Sequence, residues 1–234
     1  MANEITFQDV LTTSSTQQFA LGQRAELPDG RKFVYVKNIT AALTAKGMVG
    51  IQGASVGVDT VSSSADNQGR KVYITEASAG WTVGDYADDW VLVDDGTGEG
   101  QVAKIKTNTA DTLILYPEYA LTTALDVADS DITIVRPYHV TIAAVTSKKQ
   151  GAVGICQVAF TLNYYGWLQT YGVGTVLAGE VITTSANFTT GDNTTGTVKI
   201  GATTEGAFDA QNLGYSLEAN TTADKNLVAF INIQ

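Results

Sequence analysis

Apolar residues along this chain recur in short, strand-length runs broken by Gly, Pro, Asn, Asp and Ser, with no internal repeat and no heptad pattern. Runs rich in Val, Ile, Thr and aromatic residues fit a pleated, half-buried surface, so their recurrence predicts strands joined by turns. In the middle of the chain they are Val72-Tyr73-Ile74, Trp90 to Val93, Val102 to Ile105, Thr112 to Leu115 and Ile132 to Val135, with room for one helical turn after Pro117. After Tyr138 they are Val140 to Val145, Val153 to Leu162, Gly166 to Tyr171, Val198 to Ile200, Leu213 to Leu217 and Leu227 to Ile233. The last run alternates: Leu227, Ala229, Ile231 and Ile233 share one face, and Val228, Phe230 and Asn232 the other.

Pro28-Asp29-Gly30 supplies a preset φ, a side chain that caps a turn and a residue free to take positive φ, so residues 24–37 read as a hairpin. Residues 39–48 are alanine-rich and read equally as a short helix or a broad loop. The opening twenty residues are polar, anchored only by Phe7, Val10, Leu11 and Phe19, and read as an extended N-terminal arm. The texture changes at Ser62 to Gly69, a loop, and again at Arg136-Pro137. The expected fold class is therefore all-β: an arm (1–20), a β-barrel or sandwich base domain (21–59 plus 138–234) and an inserted small β domain (60–137).

The net charge of −10 alters this picture because it is unevenly spread: residues 60–137 hold thirteen acidic and five basic groups. The insertion is thus expected to face solvent, and the acidity disfavours nucleic-acid backbones and anionic membranes as partners. No stretch approaches the ~18 apolar residues of a membrane span, and the first residues lack a basic and apolar leader, so synthesis in a cytoplasm is expected. One cysteine permits no internal disulfide, and Cys156 in a strand-like run reads as a small buried hydrophobe. The sequons at Asn38, Asn187, Asn193 and Asn220 are given no role, since Thr is abundant.

Reactive chemistry is sparse. Catalytic bases and metal shells draw on His, Cys and convergent carboxylates, and this chain has one His and one Cys. His139 has no second ligand nearby and reads as structural. Asp94 to Gly100 carries neither the lysine of a phosphate loop nor the ligand spacing of a calcium loop and reads as a hairpin turn. Asp85, Asp88 and Asp89 could be read as a glycosidase pair, but one-to-four-residue spacing favours solvated loop acids; with Trp81, Tyr86 and Trp90 they define an exposed aromatic surface able to stack on sugars. Tyr164, Tyr165, Trp167 and Tyr171 read as core aromatics before binding ones. No catalytic residue, cofactor or metal is expected.

Three features together resemble the head decoration, or cement, proteins of tailed bacteriophages: the polar arm leading through Leu21-Gly22 to the hairpin Leu27-Pro28-Asp29-Gly30-Arg31-Lys32-Phe33-Val34-Tyr35-Val36; Tyr165 to Gln169 running into Gly172 to Leu177; and Leu213 to Glu218 followed by Leu227 to Ile231. The resemblance covers residues 20–55 and about 150–234, and residues 60–137 depart from it. It implies a β-barrel-like base, a homotrimer, attachment to the major capsid protein on the outer face of the virion, and no catalysis. Arm residues Phe7, Val10, Leu11 and Phe19 would then order on the shell or on a neighbouring protomer. The alternative is a fibre or spike head that binds host glycans through Trp81, Tyr86 and Trp90.

Overall fold

The computed structural model describes residues 5–39, 43, 45–58, 61, 72–142, 151–190, 196–201 and 211–233. Among them the chain forms one helical turn, α1 (Phe7–Val10), and strands β1 (Arg24–Glu26), β2 (Lys32–Asn38), β3 (Val49–Gln52), β4 (Val56–Val58), β5 (Tyr73–Thr75), β6 (Trp90–Asp95), β7 (Val102–Asn108) and β8 (Thr112–Leu115). A 3-10 turn (Pro117–Tyr119) follows, then β9 (Asp131–Val135), β10 (His139–Ile142), β11 (Ala152–Cys156), β12 (Tyr165–Ala178), β13 (Asn187–Thr190), β14 (Val198–Ile200), β15 (Gly214–Ser216) and β16 (Lys225–Asn232). The protein is all-β, built from barrel and half-barrel sheets. It divides into two compact units, one comprising Met1–Gly53 with Tyr138–Gln234 and the other Ala54–Pro137.

In the first unit a ten-stranded sheet closes on itself twice. One ring runs β2-β10-β3-β11-β12 and back to β2, and the other β12-β14-β13-β15-β16 and back to β12. Closure removes the open strand edges that would otherwise recruit other chains. The fourteen-residue β12 belongs to both rings: Tyr165–Tyr171 pair with β2 and Tyr171–Ala178 with β16. The changeover is a register shift between Gln169 and Tyr171, and the fully buried Gln169 amide donates to the carbonyls of Tyr171 (3.0 Å) and Val173 (3.1 Å). The glycines after it permit close approach: a Cβ on Gly174 would lie 2.6 Å from Gln169 Oε1.

The hairpin is present as β1–β2, with Gly30 at φ +83° and its N–H donating to the Leu27 carbonyl. Strand β2 is buried on both faces. Val34 and Val36 join Leu43, Met48, Val140, Cys156, Phe160 and Leu168, while Phe33 and Tyr35 join Val10, Leu21, Leu27 and Trp167. The second ring encloses Val176, Ile182, Phe188, Val198, Leu213, Leu227, Ala229 and Ile231, and the alternation of β16 runs as its sequence predicts. Of the alanine-rich segment, Leu43 bridges to Phe160 and residues 45–47 form a turn, while residues 40–42 and 44, the loop at 62–69 and residues 143–145 and 191–195 lie outside the described residues.

The second unit is a six-stranded sheet, β4-β9-β6-β7-β8-β5, around Ile74, Val91, Val93, Ala103, Ile105, Leu113, Leu115, Ile132 and Ile134. Strands β6, β8 and β9 alternate buried and half-exposed positions, as one-sided sheets do. The unit begins at Ala54, ahead of the residue 60 that the change of texture marks, because Val56–Val58 pairs antiparallel with Ile132–Ile134 of β9. Asp94 and Asp95 end β6 and residues 96–101 connect it to β7, with Gly96, Gly98 and Gly100 at positive φ.

Candidate functional site

Residues 5–20 are not an extended arm. Thr6 and Asp9 form a reciprocal capping box, Thr6 Oγ1 accepting from the Asp9 N–H and the Asp9 carboxylate accepting from the Thr6 N–H, which fixes α1. Ser14 then exchanges both backbone hydrogen bonds with Tyr165 of β12, at 2.9 and 2.8 Å. Val10 is fully buried beside Phe33, Tyr35 and Trp167, and Leu11 and Phe19 pack on the same cluster, Phe19 with ring centroids 5.3 Å from Tyr35 and 5.2 Å from Trp167. Three of the four expected contact residues are therefore spent on the chain's own fold. Only Phe7 stands out, half exposed, with the Arg31 guanidinium 4.8 Å from its ring centroid.

The expected exposed aromatic surface of the second unit is also corrected. Trp81 and Tyr86 are buried, edge to face at 5.8 Å, and Trp90 is half-buried against Tyr119 at 5.4 Å. Tyr86 is covered by Arg136, distant in sequence, whose guanidinium lies 4.9 Å from its ring centroid. Its Nε donates to Asp89 Oδ2 (3.1 Å), and its Nη2 donates to the Asp85 carbonyl (2.9 Å) and to Asp85 Oδ2 (3.2 Å). Burial, together with the charges of Asp85 and Asp89, pushes the Tyr86 phenol above its ordinary value against the opposing pull of Arg136.

Asp88, at φ +67°, faces a different cation: its Oδ1 lies 3.5 Å from Lys104 Nζ and accepts from the Tyr116 hydroxyl at 3.1 Å. The three acids are thus tied to two cations and hold the 84–90 turn. His139 is buried in β10, and burial pushes the Cys156 thiol up to about 12, so it is inert. Among the described residues no cluster of His, Cys, Asp or Glu could hold a metal, and no helix is long and apolar enough to cross a membrane.

What the first unit does present is an apolar strip on the outer face of β12, β16 and β15. Tyr171 and Val173 of β12, Val228 of β16, and Tyr215 with the following Leu217 are each 40–50 % exposed. Register sets them side by side: Val173 lies opposite Phe230, Phe230 opposite Tyr215, and the Leu217 N–H donates to the Val228 carbonyl. The half-buried Phe230 ring stacks on Tyr215 at 5.3 Å and meets Tyr171 edge-on at 5.1 Å, giving a preformed aromatic ladder. A shallow depression continues from Tyr171, Val173 and Phe230 to Arg31, Asp29 and Gly30, and Lys32 Nζ sits 5.7 Å from the Tyr171 ring. The sequence carries a signal for this strip. Strand β16 is apolar on both faces but has a core on only one, so Val228 and Phe230 must face outward.

The candidate site is an exposed apolar sheet face on an all-β protein. No protein-family model matches the chain, no curated protein matches it, and no solved structure matches it.

Proposed function

We propose that this chain is a structural virion protein, a head decoration protein of a tailed bacteriophage. It coats the outside of the assembled shell as a homotrimer and stabilises it by bridging major capsid protein subunits, without catalysis. The observation that carries the reading is the division of labour between the two units. The doubly closed first unit holds nine basic and ten acidic residues and bears the apolar strip, whereas the second holds five basic and fourteen acidic residues. A near-neutral, apolar face suits repeated contacts within a crowded shell, and an acidic unit suits solvent; multivalency lets individually weak contacts hold. Burial of Trp81 and Tyr86 leaves the glycan-binding alternative with the half-buried Trp90 as the most open of its three rings, which favours the decoration reading.

The test is the copy number of this chain in purified virions of its source, by quantitative mass spectrometry against the shell protein. A ratio of the order of the shell protein's supports decoration. A few copies per particle, or none, refutes it.

A further inference from the structure

We infer that the Asp95-Gly96 step at the end of β6 is a spontaneous modification site, where the main chain rearranges through a succinimide to isoaspartate. The reaction uses only this chain and water, and it is independent of the decoration reading.

The chain has two Asp-Gly steps, Asp29-Gly30 and Asp95-Gly96, and no Asn-Gly step. Such steps are the reactive ones because glycine has no Cβ to shield the amide nitrogen that attacks the preceding side chain. The fold treats the two differently. At Asp29 the carboxylate is clamped: Arg31 Nε donates to Oδ2 at 2.8 Å, Arg31 Nη2 lies 2.7 Å from the same oxygen, and the Arg31 N–H donates to Oδ1 at 3.1 Å. The side-chain hydrogen bonds from Arg31 hold that carboxyl below its ordinary value, in the ionised form that offers no leaving group. The nitrogen is occupied as well, since the Gly30 N–H donates to the Leu27 carbonyl at 2.9 Å.

Asp95 presents the opposite arrangement. It is exposed, and among the described residues no cation touches its carboxylate. The Gly96 N–H donates to Asp95 Oδ1 at 2.9 Å, which keeps the nitrogen beside Cγ, the carbon that carries this oxygen. Holding reacting atoms at about 3–3.5 Å is what makes an intramolecular attack efficient. The Gly96 nitrogen attacks Cγ of the protonated carboxyl; the N–Cγ bond forms, and the amide proton and the carboxyl hydroxyl leave together as water. A water then adds to one of the two ring carbonyls. Breaking the new N–Cγ bond restores aspartate, whereas breaking the original bond from nitrogen to the Asp95 main-chain carbonyl leaves the chain running through the side chain, as isoaspartate.

The product lengthens the main chain by one methylene where there is no room for it. A Cβ on Gly96, at φ +75°, would lie 1.9 Å from the Asp129 carbonyl oxygen. The Thr97 N–H and Oγ1 donate to the Asp129 carboxylate at 3.0 and 3.2 Å, and Ser130 Oγ donates to the Thr97 carbonyl at 2.7 Å. Isoaspartate therefore loosens the β6–β7 connection from the turn at 127–129, and the step acts as an ageing mark on the second unit.

The experiment holds the purified full-length chain at about 37 °C and about pH 7.4 for several weeks, folded and, in parallel, unfolded in urea. Peptide mapping with electron-transfer fragmentation, which separates isoaspartate from aspartate of equal mass, follows both Asp-Gly steps. At least tenfold more isoaspartate at Asp95 than at Asp29 in the folded chain, with the ratio falling towards one in urea, supports the inference. Equal rates in the folded chain, no isoaspartate at Asp95, or a ratio that unfolding leaves unchanged overturns it. Asp95→Glu keeps the exposed carboxylate but enlarges the ring that must close, so it is expected to block the modification. Aged wild type is expected to melt below fresh protein and aged Asp95→Glu to melt as fresh protein does; an aged wild type rich in isoaspartate with an unchanged midpoint overturns the ageing role.

Discussion

Replacing Arg136 by methionine keeps most of the side chain's length and apolar stem while removing its charge and all three of its hydrogen bonds. The consequence falls on Asp89, whose side chain is 1 % exposed and would be left as a buried carboxylate deprived of its guanidinium partner. Breaking a buried pair from one side costs about 3–5 kcal/mol, because the orphaned charge keeps its desolvation penalty. Asp85 adds little, being 31 % exposed and able to turn to water. In a unit of about 80 residues each kcal/mol moves the midpoint by about 4–8 °C, so the second unit is expected to melt at least ~12 °C lower. The assay is thermal unfolding followed by near-ultraviolet dichroism and tryptophan fluorescence, since Trp81 packs on the Tyr86 ring that Arg136 covers. The partner substitution sharpens it: Asp89→Asn added to Arg136→Met removes the orphaned charge and is expected to recover a substantial part of the loss. A midpoint for Arg136→Met within ~2 °C of wild type, or a double variant no more stable than the single one, would refute the view that the cluster is a structural clamp.

Three further outcomes follow from particular contacts. Val10→Ala, which truncates a fully buried side chain against Phe33, Tyr35 and Trp167, is expected to cost about 1–3 kcal/mol and to expose residues 5–19 to limited proteolysis; unchanged cleavage would show that the opening segment is not held by this contact. Gly214→Ala places a Cβ 2.0 Å from the Phe230 carbonyl oxygen at φ +140°, a conformation closed to L side chains, and is expected to yield insoluble or strongly destabilised protein in an expression and melting assay. Burial is the first cause of raised phenol values at Tyr35, Tyr86 and Tyr116, so the folded state prefers their neutral forms. The stability they contribute is complete below the ordinary value of 10.0 and is lost as pH rises through the folded values; a pH series of melting curves is expected to fall above about pH 10, less steeply in Tyr86→Phe.

The parts of the fold that the sequence discloses are those decided locally. Alternation in β16, the Pro28-Asp29-Gly30 hairpin and the strand runs of the second unit depend on neighbours within a few residues, and each is found where the pattern puts it. Strand β12 was legible only as far as Tyr171, because Gly172 and Gly174 read as turn residues. They are there instead to admit Arg31 and Gln169, partners that no local rule supplies. The same holds for the candidate sites. Tyr86 beside three aspartates reads as an exposed, sugar-facing ring, and only the arrival of Arg136 across the fold turns it inward. Val10 in a polar opening segment reads as an anchor for something else, and only the pairing of Ser14 with Tyr165 shows that its anchor is Trp167. The exposed strip was half legible: Val228 and Phe230 fall on the second face of a one-sided strand, but Tyr215 and Val173 join them only through the register of β15 and β12.

Charge placement connects the two units' roles and can be varied without touching either core. Glu99 and Glu118 are exposed in the second unit, and changing both to lysine moves the net charge from −10 to −6. If acidic repulsion is what confines contacts between copies to the near-neutral unit, the double variant is expected to associate more strongly at low ionic strength, where charges interact over ~30 Å at 0.01 M, and to match the wild type at 1 M, where they are screened within ~3 Å. Its melting temperature is expected to stay within ~2 °C, since exposed charges contribute little to the fold. Sedimentation at the two salt concentrations separates the terms: a difference that persists at 1 M would assign the new contact to the lysines themselves, and no difference at 0.01 M would show that the acidity of the second unit plays no part in keeping copies apart.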